Sequence, residues 1–164
     1  MNTLVLDEGG LKDLPIEERL KKCEKIIKNA KDESLRWDAV WVAGEMANDQ
    51  SNTEVFDRVS DLMAWVLHND PNGVVKHEAC YQIAARNMRS KIPDLIHASL
   101  HNDSVLTKHE AIESLGLMRA FEAESLIANA LKDPSPDVRE TAEFVIKRLN
   151  RIKQLGDYVP SNIV

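Results

Sequence analysis

The chain has 164 residues, of which 43% are hydrophobic and 29% charged, so it is long and apolar enough for one domain with a real core. A formal net charge of −6 excludes a broad nucleic-acid surface, which needs clustered excess Lys and Arg, and no apolar run reaches the ~18 residues that cross a membrane. With 5% aromatic residues and only 6 Gly, a sandwich or barrel is disfavoured, whereas the abundant Ala, Leu, Glu and Lys are good helix formers.

In chain order, residues 1–10 lack a basic stretch ahead of an apolar core, so they are not a secretory signal. They read as an irregular N-terminus before a single domain over 11–155. A first helix is expected over 16–30, where Ile16, Leu20, Cys23, Ile26 and Ile27 keep one face apolar. The segment KDESLRWDAVWVAGEM (31–46) follows. The next helix, over 53–68, carries Val55, Val59, Leu62, Met63 and Val66 at the same spacing. A turn at Asn69–Gly73 leads into DPNGVVKHEACYQIAARN (70–87). Ile92, Leu95, Ile96 and Leu100 mark a helix over 91–100, and His101–Ser104 turns the chain into NDSVLTKHEAIESLGLM (102–118). A last pair is expected at 122–131 and in DPSPDVRETAEFVIKRL (133–149), where Ser135 suits an N-cap and Pro136 a first helical turn. Residues 156–164 read as an irregular tail.

The four longer segments share one register. A polar turn leads to a basic or apolar residue, then a variable position, then an acid. The variable position holds Trp37, His77, His109 and Arg139, at intervals of 40, 32 and 30 residues, and the acid is Asp38, Glu78, Glu110 or Glu140. This is the period of short HEAT or armadillo-like repeats. The expected fold is therefore all-α, a HEAT-like solenoid of about four helix pairs in which stacking makes one continuous core. Cys23 and Cys80 form no C-x-x-C pattern, which fits free buried thiols in a reducing, cytoplasmic setting. Lys147, Arg148, Arg151 and Lys153 read as a solvated helix face.

His77 and His109 stand apart because they occupy equivalent positions on consecutive second helices, each between a Lys and a Glu. Neighbouring helices in such a stack lie ~8–10 Å apart, close enough for two imidazoles to converge on one ion. Seven residues on stand Ala84 and Gly116, which leave room on the same face. Imidazole plus carboxylate with open positions suits non-haem Fe(II). The competing reading is repeat consensus without a ligand role. His68, His97 and His101 have no aligned partner and no matching acid, and read as surface or helix-end residues.

KHEACYQIA (76–84) followed by KHEAIESLG (108–116) resembles the paired His-Glu segments of deoxyhypusine hydroxylase, a HEAT-repeat solenoid of two similar halves. Tyr81 stands three residues after Glu78, and Ala111 to Gly116 follow the second motif as the family's Ala-x-Glu-Ala-Leu-Gly does. The likeness covers about residues 31–152. It implies that His77, His109 and Glu110 ligate iron (Fe2+), and that Glu78 serves catalysis by holding an amine-bearing substrate. The Leu-Gly that usually follows the first motif is replaced by Ile83 to Asn87. Only one half is present, and Trp37 and Arg139 are not iron ligands, so a di-iron centre requires a homodimer. The leading expectation is an O2-dependent hydroxylase acting on an amine side chain, with a protein substrate or partner on the concave face. The alternative is a non-catalytic scaffold, for which Trp37 and Trp41 are natural anchors. Neither nucleic acid nor membrane is an expected partner.

Overall fold

A computed structural model describes residues 10–155; the expectations for 1–9 and 156–164 fall outside the described residues. Four helical hairpins follow one another: α1 (Ile16–Asn29) with α2 (Glu33–Met46), α3 (Thr53–Asn69) with α4 (Gly73–Ala85), and α5 (Ile92–His101) with α6 (Val105–Leu117). In the last, the short α7 (Glu124–Ile127) pairs with α8 (Pro136–Lys153). The second helices α2, α4, α6 and α8 pack side by side as one layer, and the first helices cover them as another. This is the all-α helical-hairpin solenoid that the repeat pattern predicts. None of the described helices is long and apolar enough to cross a membrane.

The two layers differ because their surroundings differ. A first helix is covered on one side, so α1 buries the stripe Leu20, Cys23 and Ile27 and leaves the rest to water. A second helix is covered on three sides. In α4, Val75, Ala79, Cys80, Gln82, Ile83 and Ala84 are buried in nearly every direction. Small residues let the helices approach closely: a Cβ built on Gly44 would sit on the Gln82 side chain of α4. Cys23 and Cys80 are buried free thiols, as expected, and burial pushes the Cys23 thiol up to about 12.

Each hairpin passes from its first helix to its second through the same turn. The backbone N–H groups of Ser34, Asn72, Ser104 and Ser135 donate to the side chains of Asp32, Asp70, Asn102 and Asp133 at 2.8–2.9 Å. Three of these turn residues also receive a cation from the preceding repeat. Arg36 grips Asp70 through two bonds of 2.8 and 3.1 Å, Lys76 reaches Asn102 at 2.9 Å, and Lys108 reaches Asp133 at 2.7 Å. A row of tethers therefore fixes the register of each second helix against the next. Ser135 is the N-cap residue with Pro136 behind it, but its hydroxyl makes no capping bond.

The fourth hairpin departs from the expected regular helix over 122–131. Its outer element is a 3-10 turn (Phe121–Ala123), the single α-turn α7, and a second 3-10 stretch (Ala128–Lys132). Left-handed residues, Asn87 (φ 51°) and Arg119 (φ 52°), end α4 and α6 at equivalent places. From Asn87 to the Asn102 turn the chain has fifteen residues, whereas from Arg119 to Asp133 it has fourteen. With one residue fewer, the 3-10 rise of about 2.0 Å in place of 1.5 Å per residue recovers the same span.

Candidate metal centre

The repeat register puts His77 on α4 and His109 on α6 in the same row of the second-helix layer, with Glu110 between them. His77 Nε2 lies 3.0 Å from Glu110 Oε2, so the pair spans the α4–α6 seam. His109 Nε2 lies 3.3 Å from Glu113 Oε2, one turn along α6. Donor atoms of His109, Glu110 and Glu113 all fall within 4.8 Å of one another, the separation expected of groups around one cation. The structure thus pairs His77 with Glu110 across the seam and groups Glu110 with His109 and Glu113, whereas His77 stands outside that group of converging donors.

The protonation pattern suits a cation. Thr141 Oγ1 lies 2.7 Å from the Asp137 carbonyl oxygen, which only accepts, so the hydroxyl hydrogen points there. His109 Nδ1, 2.7 Å from the same hydroxyl oxygen, must then donate to it. In the neutral ring this selects the Nδ1–H tautomer and leaves the Nε2 lone pair for a metal, the usual arrangement of a ligating imidazole. Burial pushes Glu110 up to about 7, helped by the carboxylates Glu113 and Glu78 nearby. Burial, reinforced by His109, lowers His77. Burial thus disfavours the charged form of both groups, which face each other at 3.0 Å across the seam. No Lys or Arg pairs with Glu110 among the described residues. Two nitrogen lone pairs and an under-compensated buried carboxylate fit a divalent ion of the iron class.

Glu78 sits elsewhere on α4. It is 7% exposed, accepts a 2.9 Å hydrogen bond from Gln82 Nε2, and burial raises its carboxyl. It does not line the cavity of about 320 Å³ beside the centre. That cavity is bounded by Glu110, Glu113, Tyr81, Leu117, Phe144 and Arg148. Arg148 was expected on a solvated face; instead it turns toward this cavity, its Nη1 buried and without a hydrogen-bond partner among the described residues.

Trp37 and Arg139, at the flanking repeat positions, take no part in the centre. Trp37 stacks on Trp41 (centroids 6.1 Å apart), and Trp41 stacks on Tyr81 (6.3 Å, rings within 5° of parallel). Arg139 donates to the backbone oxygens of Asp133 and Pro134. Among the remaining histidines, His68 Nε2 lies 2.8 Å from Oδ1 of Asp94, an acid outside the repeat register. Thr141 and Glu113 were not singled out as site residues. Glu113 carried a signal, being four residues after His109 on one helix face. Thr141 belongs to the next repeat and carried none.

The model of the HEAT-repeat family matches residues 60–147, more than half of the chain. This chain belongs to the HEAT-repeat family. Among characterised proteins, this HEAT-repeat chain is 34% identical over 111 residues to deoxyhypusine hydroxylase of Saccharomyces cerevisiae, covering 66% of the chain and 33% of that protein. Deoxyhypusine hydroxylase of Danio rerio is 31% identical over 102 residues, with 60% and 33% covered. The solved structure of human deoxyhypusine hydroxylase with glycerol superposes with a TM-score of 0.71 at 19% identity, over 93% of this chain and 51% of that one. The chain therefore spans about half the solved protein's length, and the matched stretches about a third of the curated relatives.

Proposed function

We propose that this HEAT-repeat chain is a non-haem iron protein of the deoxyhypusine hydroxylase type, with His77, His109 and Glu110 as ligands. The observation that carries the reading is the convergence of His77 and Glu110 across the α4–α6 seam beside a His109 whose Nε2 is kept free by Thr141. Iron held there would supply dioxygen activation for insertion of oxygen into a C–H bond. The chain's own residues do the rest. Tyr81, Leu117 and Phe144 give the adjoining cavity an apolar wall that excludes water from an alkyl chain. Glu113, at the cavity and half-exposed, is the carboxylate best placed to pair with an ammonium group of an amine-bearing side chain. Glu78, to which the family likeness assigns the amine, is buried against Gln82, and in this proposal it adds negative field behind Glu110.

One chain offers one such centre. A di-iron site follows if two copies face each other, which agrees with the solved relative being about twice as long in the superposition. Two-fold pairing is the commonest closed assembly. The test is metal content and native mass of tag-free protein. The proposal expects about one iron per chain in a dimer, and loss of iron on His77→Ala or His109→Ala. Stoichiometric iron retained by both variants would overturn the ligand assignment, and an iron-loaded monomer would overturn the pairing.

A second reading, a partner-binding scaffold, has its own observation. The stacked row Trp37, Trp41 and Tyr81 lies on the second-helix layer, with Tyr81 39% exposed and Phe144 62% exposed. A protein docked there would bury aromatic anchors. Under this reading the histidine variants keep full partner binding.

A further inference from the structure

Three of the five histidines lie on the other layer of the solenoid. His97 and His101 project from α5 one turn apart, and His68 stands near the end of the adjacent helix α3. We propose that His68, His97 and His101 form a separate transition-metal site that clamps α3 to α5 and takes a borderline divalent ion such as Zn2+, Ni2+ or Cu2+.

Geometry carries this. Histidines at i and i+4 share one helix face and are a recurrent chelating pair. The ring centres of His97 and His101 are 5.0 Å apart, and those of His68 and His97 are 5.2 Å apart. With Zn–N bonds of about 2.0–2.1 Å and ring nitrogens about 1.1 Å from the ring centre, tetrahedral ligation separates imidazole centres by about 5.2 Å. The two neighbouring pairs thus stand at the separation that a common ion requires, while the donor nitrogens of the three rings do not yet meet around one point. All three side chains are exposed, so closure on an ion proceeds by rotation of His97 and His101 toward the His68 ring that Asp94 holds.

Asp94 supplies an independent indication. Its carboxylate accepts from His68 Nε2 at 2.8 Å, which fixes that ring as the Nε2–H tautomer and leaves Nδ1 as the ligating nitrogen. A carboxylate behind an imidazole is the usual outer partner of a metal-bound histidine. The all-imidazole set differs from the carboxylate-rich centre on the other layer, and it selects nitrogen-seeking ions over Fe(II). An ion there would join the second and third hairpins by bonds in addition to packing, so its binding would raise the stability of the stack.

The test uses tag-free chain in which His77→Ala and His109→Ala silence the inner centre, titrated calorimetrically with zinc sulfate near pH 7.5. One saturable equivalent in the micromolar range is expected. Adding His97→Ala or His68→Ala should each weaken it by about tenfold or more, with helix content unchanged by circular dichroism. In the unaltered chain, zinc should shift the ring resonances of His68, His97 and His101 together. Absence of saturable binding would overturn the proposal. So would zinc binding that survives His68→Ala intact, since the ion would then be held by α5 alone. Neither result touches the iron reading, which depends on other residues.

Discussion

Replacing Thr141 by Val keeps shape and volume but removes the hydroxyl that orients His109. In the native chain this oxygen gives its hydrogen to Asp137 and accepts the Nδ1 proton at 2.7 Å. Without it, Nδ1 faces two methyl groups. The His109 side chain is 36% exposed, so the ring can rotate toward water or move the proton to Nε2, and the fold should lose only about 1 kcal/mol. Metal affinity should suffer more, because in the Nε2–H tautomer the nitrogen that faces Glu113 and the centre has no lone pair to give. Loss of an outer-shell partner costs about 10–100-fold, or about 1.4–2.7 kcal/mol, in affinity. Thr141→Ser restores the hydroxyl and should recover most of it. Anaerobic titration with ferrous or cobaltous ion measures the affinity, and ring nitrogen shifts from NMR report the tautomer. A Val variant that keeps both the Nδ1–H tautomer and full affinity would refute the assigned role.

Three further outcomes follow from particular contacts. In metal-free protein, burial holds Glu110 near 7 against an ordinary 4.5, so the folded chain keeps a proton that the unfolded chain has lost between those values. Stability from this group is therefore present below pH 4.5 and lost as pH rises to 7; Glu110→Gln should stabilise metal-free chain at pH 8 by at most about 3 kcal/mol and change little at pH 4, by urea titration. Asn102→Asp would give Lys76 the carboxylate that Arg36 and Lys108 already have, and should raise the melting temperature by about 2–4 °C; a fall would refute the tether's electrostatic reading. A Cβ on Gly116 would meet Val145 Cγ1 at 2.9 Å, so Gly116→Ala should destabilise by about 1–3 kcal/mol despite its better helix propensity, and Val145→Ala in the same chain should relieve part of the loss.

Much of the fold was legible because each hairpin writes its own signals locally. The Asx-type turns at Asp32, Asp70, Asn102 and Asp133 and the apolar spacing behind them set the four units, and helix ends fell within a residue or two. The outer element of the fourth hairpin was not legible, since its 3-10 winding answers a one-residue shortening measured against the neighbouring repeat. The same division holds at the site. Register, a property of the sequence, singled out His77 and His109, and the family resemblance added Glu110. Thr141 acts from the following repeat, and Arg148 turns in from what reads as a charged face. The environment that raises Glu110 and buries Glu78 comes from the packing of α4 against α6, and no pattern along either helix states it.

The candidate centre draws His77 from the second hairpin, His109, Glu110 and Glu113 from the third, and Thr141 from the fourth. It therefore has no home in a single repeat. Duplicating or transplanting one hairpin copies a stacking unit but leaves the ligand set incomplete; the smallest piece that could be moved between proteins with its chemistry intact runs from α3 to α8. Lineages could lengthen or shorten the array freely at its first hairpin, whereas an insertion between α4 and α8 would separate the ligands at once.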